Sequence, residues 1–442
     1  MKVNDYSENR GVSCAEIVGC NENGVAFSAA GARMSTTEGT ALEVVDKSLK
    51  AGNNVKLVGK VLSSGHKSII EHAVFNIAFN NVSVFVEQFM IEFRLASFTV
   101  KSRRYVDFAG AGFYSCDELD EKLRQSYSEN MERLFRDYAD LIELGIPKED
   151  ARFILPYCFF SNFIFTCNAR ELEHVICSMI YGRGSAYPEI KALGMQLKEQ
   201  FDEFFPGVVD SDRENYTCPE PHISGRAAQP HQVAWKVELK SSTGEWAELI
   251  SAATEGAEIS ETALSQRARA LELVNFVYKI GNISLATLTH LVRHRMQGIV
   301  IPELSGAVMN GAYMVPDTVR QQPHALEIYS AAFERNAACL SGLLEQGLPA
   351  WAVPYFCMSG NTLDVFSNMN GRELRHFVSL RTCNRAQWEI RQIAFEMLKL
   401  AKGRCPELVR GFGPGCFMTG KCPEGKMSCG MAAEVRAYIE SL

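Results

Sequence analysis

The sequence predicts two tandem α+β units. Three observations carry that prediction: a length beyond one domain, a residue pattern that occurs twice, and strand periodicity that passes into helical periodicity inside each copy. At roughly 100–200 residues per domain, 442 residues suffice for two or three cores. Apolar residues make up 47% of the chain and charged residues 22%, a balance that buries a core and excludes disorder or a coiled coil.

The repeat is legible in the residues themselves. Phe75-Asn76-Ile77-Ala78-Phe79-Asn80-Asn81-Val82-Ser83, continuing to Glu92-Phe93-Arg94, overlays Phe276-Val277-Tyr278-Lys279-Ile280-Gly281-Asn282-Ile283-Ser284, continuing to Arg293-His294-Arg295, without a gap. The same frame pairs Glu71 with Glu272. Farther on, Gly145-Ile146-Pro147 and Asn168-Ala169-Arg170-Glu171-Leu172 recur as Gly347-Leu348-Pro349 and Asn370-Gly371-Arg372-Glu373-Leu374 at identical separation.

Each copy reads the same way. Ala73–Phe79 and Asn275–Ile280 alternate apolar and polar residues as strands, and Asn80-Asn81 and Gly281-Asn282 supply turn residues that tolerate a left-handed backbone. Val84–Phe93 and Leu285–Arg295 read as helices, as do Asp117–Leu144, Pro323–Glu345, Leu172–Met179 and Leu374–Leu380. The stretch Asp210–Pro230, rich in Pro, Ser, Gly and charge, is the expected linker. The organisation is therefore a first repeat over 1–209, a linker over 210–230, a second repeat over 231–404, and a Cys-rich tail over 405–442.

Composition narrows the function. A net charge of −7 opposes a broad cationic surface for nucleic acid, while local arginine clusters still suit small anions. The most apolar stretches, such as Val82–Met90 and Phe159–Phe165, fall far short of the roughly 20 residues that span a bilayer, so no membrane partner is expected. Met1–Asn23 lacks the apolar core of a secretory signal, which places the chain in the cytoplasm and its 14 cysteines mostly as buried or free thiols.

Four clusters hold titratable or hydrogen-bonding groups. Gly65-His66-Lys67-Ser68-Ile69-Ile70-Glu71-His72 gathers polar groups where the chain enters a strand, and serves equally as a helix cap with a satisfied histidine. Ser97-Phe98-Thr99-Val100-Lys101-Ser102-Arg103-Arg104-Tyr105 combines hydroxyls with adjacent arginines, which suits a phosphate or a solvated basic face. Arg293-His294-Arg295 follows an apolar helix; taken alone it reads first as a solvated helix end. Leu380-Arg381-Thr382-Cys383-Asn384-Arg385-Ala386-Gln387-Trp388-Glu389-Ile390-Arg391 sets an arginine before a helix start, with Trp388 as a core anchor.

Together these clusters resemble the flavin-dependent thymidylate synthases, whose pattern is R-H-R-x-x-S-x-N-E-x-S-x-R-Y with an upstream G-H-x-S-x-x-E-H element and a downstream N-x-R…L-R…A-Q-W-E-I block. The first half matches at Gly65, His66, Ser68, Glu71, His72, Arg94, Ser97, Ser102, Arg104 and Tyr105, around Glu149–Pro156, and at Asn168 and Arg170. The second matches at Arg293-His294-Arg295, Asn370, Arg372, Leu380-Arg381 and Ala386–Ile390. Their departures are complementary. Glu92-Phe93 replaces the first half's R-H, Thr99-Val100 its N-E, and Met179 its catalytic arginine; the second half has lost the phosphate element between Gly298 and Ser305 and carries Pro354 where the first has Arg152.

The resemblance implies two tandem units, each a mainly antiparallel sheet packed with helices, that share one composite site. It implies reductive methylation of dUMP at C5, with methylenetetrahydrofolate as carbon donor, FAD as hydride carrier and NADPH as reductant. Arg381 is then the catalytic arginine. His290, Arg293, Ser102, Arg103, Arg104 and Arg152 bind dUMP, and Arg293, His294, Arg295, His66, Ser68, Asn168, Arg170, Asn370 and Arg372 bind FAD. A homodimer equivalent to the family's tetramer of single units is expected. Val100, in place of the family's glutamate, leaves two other outcomes open: a catalytically silent flavin- or nucleotide-binding relative, or a flavoenzyme acting on another pyrimidine nucleotide. Finally, Cys405, Cys416, Cys422 and Cys429, with Cys383 nearby in sequence, lie in a Gly- and Pro-rich stretch that a zinc ion or iron–sulfur cluster would order; free thiols are the alternative.

Overall fold

A computed structural model describes residues 12–223, 225–256 and 268–442. The reading of Met1–Asn23 therefore falls in part outside the described residues. Two compact units organise the chain, and they are not its contiguous halves. Unit 1 comprises the described parts of Met1–Glu143 and Leu155–Arg226 together with Ala338–Phe356; unit 2 comprises Leu144–Ile154, the described parts of Ala227–Ala337, and Cys357–Leu442. Each unit thus holds one short segment from the other repeat.

Unit 1 is built on an antiparallel sheet of β1 (Cys14–Cys20), β2 (Val74–Ser83), β3 (Ala96–Val100) and β4 (Phe160–Asn168), in the order β1-β2-β4-β3. Along β2 the side chains of Phe75, Ile77 and Phe79 are buried on one face, as period-two alternation requires. Asn80-Asn81 is not the end of the strand. Asn81 adopts φ 46°, the register shifts by a bulge between Phe79 and Val82, and the strand resumes to Ser83. Among its helices, α1 (Val84–Ile91) follows β2, and α2 (Ala169–Ile180) and α3 (Pro188–Asp202) follow β4.

Unit 2 repeats the plan. β5 (His231–Gln232) pairs in parallel with β9 (Ala312–Tyr313), while β6 (Lys236–Ser242), β7 (Asn275–Ser284), β8 (Gly298–Val300) and β10 (Thr362–Asn370) form an antiparallel sheet in the order β6-β7-β10-β8. Asn282, at φ 57°, makes the matching bulge. The corresponding helices here are α4 (Leu285–Leu291), which follows β7, and α5 (Gly371–Arg381) and α6 (Trp388–Lys402), which follow β10, among others. Both sheets thus bear out the α+β expectation of antiparallel strands packed with helices.

The same local devices fix both copies. Ser83 caps α1 and Ser284 caps α4, and each serine hydroxyl and N–H donate to one buried carboxylate, Glu189 at 2.6 and 2.8 Å and Glu389 at 2.5 and 2.9 Å. Asn168 and Asn370 cap α2 and α5, each side chain accepting an N–H at 2.9 Å from Glu171 or Glu373. α1 and α4 end at Ile91 and Leu291, earlier than periodicity suggests, so Arg293-His294-Arg295 lies in the segment beyond a helix rather than on it.

Candidate active site

The site is built at the carboxy-terminal end of α5. Arg381 occupies its last turn, half-buried, and donates from Nε to His294 Nε2 at 2.9 Å. On the other side of the ring, His294 Nδ1 lies 3.4 Å from Glu373 Oε1, a carboxylate in the first turn of the same helix. His294 is 4% exposed and Glu373 6%, and Phe377 meets the imidazole edge-on at 4.9 Å. Burial holds the histidine's pKa below its ordinary value; Glu373 opposes that shift and Arg381 adds to it. His290, on α4, is buried, whereas Arg293 and Arg295 are exposed.

A segment of the first repeat completes this unit. Asp150 accepts from the Trp388 indole N–H at 2.9 Å and from the Thr318 hydroxyl at 2.7 Å, and Phe153 stacks on Trp388 with ring centroids 6.0 Å apart. Trp388 therefore anchors the 148–154 segment, with its ring half-buried rather than in the core. Arg152 is 2% exposed, donates from Nε to the Glu149 carbonyl at 3.0 Å, and through its charge favours ionisation of Glu389, whose pKa burial pushes up. The arginine expected from the first repeat thus belongs to the same compact unit as Arg381.

The other expected ligands have definite places. In unit 1, Arg103 is turned into the interior, where it pairs with Glu87 at 2.7 Å, and Ser161 donates to the same carboxylate at 2.6 Å. That ion pair holds one guanidinium nitrogen of Arg103 in the interior. Ser102 and Arg104 are half-buried, the Arg104 N–H donating to the Ser102 hydroxyl oxygen at 3.3 Å and its guanidinium lying over Tyr105. His66 and Ser68 are exposed, while Lys67 between them bridges Glu173 and Asp212 at 2.8 Å each. Arg170 pairs with Glu71 at 2.6 Å and Arg372 with Glu272 at 2.5 Å, one ion pair made twice at half-exposed positions.

The metal centre expected in the tail is not assembled. Among the described residues, no three His, Cys, Asp or Glu side chains converge to hold a metal ion. Cys405 is fully buried, with its thiol pushed up to about 11 by burial; Cys416 and Cys422 are half-buried; and Cys429 is exposed beside the Asn384 amide. The tail is ordered by ordinary contacts instead: Arg385 donates to the Met427 carbonyl at 2.8 and 2.6 Å, and Tyr438 packs edge-on against Phe395 at 4.9 Å. Sequence reasoning missed Glu373 as a partner of His294. Its signal was present in the duplicated Asn-x-Arg-Glu-Leu block, where an acid after a capping asparagine reads simply as a first-turn residue.

A family model described as "Thymidylate synthase complementing protein" matches the chain twice, over residues 16–207 and 225–407. The chain belongs to this family. Its two matched segments fall on the two repeats. Relatives include a flavin-dependent thymidylate synthase of Geobacter sulfurreducens, 37% identical over 175 residues that make up 39% of this chain and 75% of the relative. Another, from Clostridium tetani, is 30% identical over 183 residues, 38% of this chain and 73% of its own. Among solved structures, the UMP/dUMP methylase PolB of Streptomyces cacaoi bound with 5-Br dUMP aligns at 20% identity with a TM-score of 0.38, over 47% of this chain and 96% of its own. No helix among the described residues is long and apolar enough to cross a membrane.

Proposed function

We propose that this chain catalyses the FAD-dependent reductive methylation of dUMP to dTMP, with methylenetetrahydrofolate as carbon donor and NADPH as reductant, at one composite site to which both repeats contribute. The observation that carries the reading is Arg381, braced by His294 at the end of α5 in a unit that also takes Arg152 from the first repeat. At the equivalent position the first repeat has Met179, fully buried.

Arg381 contacts the uracil ring and stabilises its N3-deprotonated, enolate-like form, a role suited to a permanently charged guanidinium in a partly desolvated place. His290 and Arg293 complete the ring side of the dUMP site. Ser102 and Arg104 are the phosphate residues that the family pattern assigns, with Arg152 as a second cation. For FAD, the donor set fits a diphosphate: Arg293 and Arg295 are exposed, and Arg372 and Arg170 stand at half-exposed positions with guanidinium nitrogens beyond those used by their glutamates. Asn168, Asn370, His66 and Ser68 complete that set. FAD, when bound, supplies the hydride; the chain supplies placement and charge. A homodimer replaces the tetramer of single units.

The experiment is dTMP formation from dUMP, methylenetetrahydrofolate, FAD and NADPH. Turnover that disappears in Arg381→Ala supports the reading, and no turnover in a flavin-loaded protein ends it. One observation favours a second reading, a silent flavin- or nucleotide-binding relative: Val100 ends β3 where the family has its glutamate. Flavin uptake without turnover on any pyrimidine nucleotide would establish that alternative.

A further inference from the structure

His294 sits in the triplet that the family pattern gives to flavin, yet its side chain faces inward. The ring is 4% exposed, Nε2 accepts from Arg381 at 2.9 Å, Nδ1 faces Glu373 at 3.4 Å, and Phe377 and His376 pack against it with centroids at 4.9 and 5.7 Å. Its neighbours in the triplet, Arg293 and Arg295, are exposed.

We infer that His294 is a positioning residue that aims the Arg381 guanidinium, in the neutral tautomer bearing its proton on Nδ1, with Glu373 as the anchor of that tautomer. Arginine has no acceptor and does not lose its proton, so a 2.9 Å contact from its Nε obliges Nε2 of the imidazole to be bare. The one ring proton is then on Nδ1, which lies 3.4 Å from Glu373 Oε1, and neither of these two buried atoms has a hydrogen-bond partner among the described residues as they stand. Glu373 is itself fixed, because its backbone N–H is held by Asn370 at the start of α5 while Arg381 lies at the end of the same helix. Histidine and glutamate thus lock the catalytic end of α5 to the segment that follows α4. The titratable groups facing the ring are Glu373, Arg381 and His376, and burial together with the Arg381 charge keeps the imidazole neutral. A second proton on Nε2 would remove the acceptor and set two cations against each other.

The first repeat supplies the control. Phe93 takes the place of His294, Met179 that of Arg381, and Phe93 packs on His174 at 5.4 Å just as His294 packs on His376. Glu171 remains in Glu373's place. An aromatic ring without acceptors is thus what this position carries where there is no guanidinium to aim.

The inference rests on the role given to Arg381 under the proposed function, and two measurements separate its failure from that one. The first needs no turnover. In the full chain labelled with 15N-histidine, His294 should show a protonated Nδ1 and an unprotonated Nε2 at neutral pH, with the Nε2 resonance moving in Arg381→Met. A protonated Nε2, or no response to Arg381→Met, overturns the inference whatever the protein catalyses. The second uses His294→Phe, the residue the other repeat tolerates, and His294→Gln, whose carbonyl oxygen restores an acceptor near Nε2. Flavin affinity should stay within about threefold in both, kcat should fall about 100-fold in His294→Phe with KM for dUMP little changed, and His294→Gln should regain about tenfold and lose the wild type's acidic limb. Full activity in His294→Phe, or loss of flavin as the main effect, overturns it. A wild-type chain that makes no dTMP would count against the proposed function and leave the tautomer measurement standing.

Discussion

The ends of α2 and α5 occupy the same place in the two repeats, and they have been put to opposite uses. α5 presents Arg381 on a polar brace of His294 and Glu373. α2 presents Met179, fully buried, against Gly184 and Gly194, which come so close that a Cβ added to Gly194 would lie 2.6 Å from the methionine Cβ. Beside it, Glu92 stands where the second repeat has Arg293, and it pairs with Arg183 at 2.7 Å. One end keeps a cation poised at half-burial; the other has become core. On the proposed function, the first repeat's loss of its arginine has gone with repacking, since an unpaired cation in so tightly filled a place would cost more than a thioether that fills it.

The largest effect should separate those two ends. Arg381→Ala should lower dTMP formation by about 10³-fold or more while the fold persists, and Met179→Ala should leave turnover near wild type yet cost about 2–4 kcal/mol, read by urea unfolding. Equal loss of activity at both positions would break the comparison. The next concerns a cation that unit 1 has moved inside. Arg103→Ala strands Glu87 without its partner and should destabilise by about 3–5 kcal/mol; a raised KM for dUMP with unchanged stability would instead return Arg103 to the phosphate.

A third test uses the twin carboxylates. Burial raises Glu189 to about 7, against hydrogen bonds from Ser83 and the Tyr355 hydroxyl, whereas Glu389 also has the Arg152 charge to oppose its burial. A raised carboxyl favours the protonated fold, so its contribution is complete below pH ~4.5 and is lost as pH rises through about 7. Glu189→Gln should remove that decline, worth about 3 kcal/mol at pH 8, when stability is followed from pH 5 to 8. An undiminished slope in the variant would place the titration elsewhere. The smallest effect belongs to the repeated surface pairs: Arg170→Ala and Arg372→Ala should each cost less than about 1 kcal/mol, so a marked loss of flavin affinity in either variant would identify a ligand contact rather than a structural one.

Much of this was legible before any fold was in view. The repeat stands in the sequence because paired strands and their caps constrain local residue types, and Arg381 and Arg152 are marked by the motifs around them. What escaped depended on distant neighbours. Asn80-Asn81 looks like a hairpin end, and only pairing with β4 shows that the left-handed asparagine is a bulge within a longer strand. Arg103 beside Arg104 reads as two adjacent cations, and only the fold shows that Glu87, sixteen residues earlier on α1, pairs with one of them. The Cys-rich tail suggested a metal because spacing alone cannot tell that Cys405 is buried while Cys429 lies open to solvent.

The short segments that the repeats exchange have a consequence for the gene. A break in the chain between the two halves would leave one fragment without Ala338–Phe356, and so without Tyr355 to meet Glu189, and the other without Leu144–Ile154, and so without Asp150 to hold Trp388. Each piece would lack a segment that its own compact unit contains. Among separate single-repeat subunits such an exchange must find its partner by collision at cellular concentration; once the two copies are joined, each segment is always within reach of its place, at an effective concentration of order millimolar. Covalent fusion removes the penalty for an arm that recognises only one partner. It frees the two copies to diverge and, if Arg381 carries the chemistry as proposed, makes the divergence hard to reverse, because a half with Met179 in its place would have no arginine of its own to offer as a homo-oligomer.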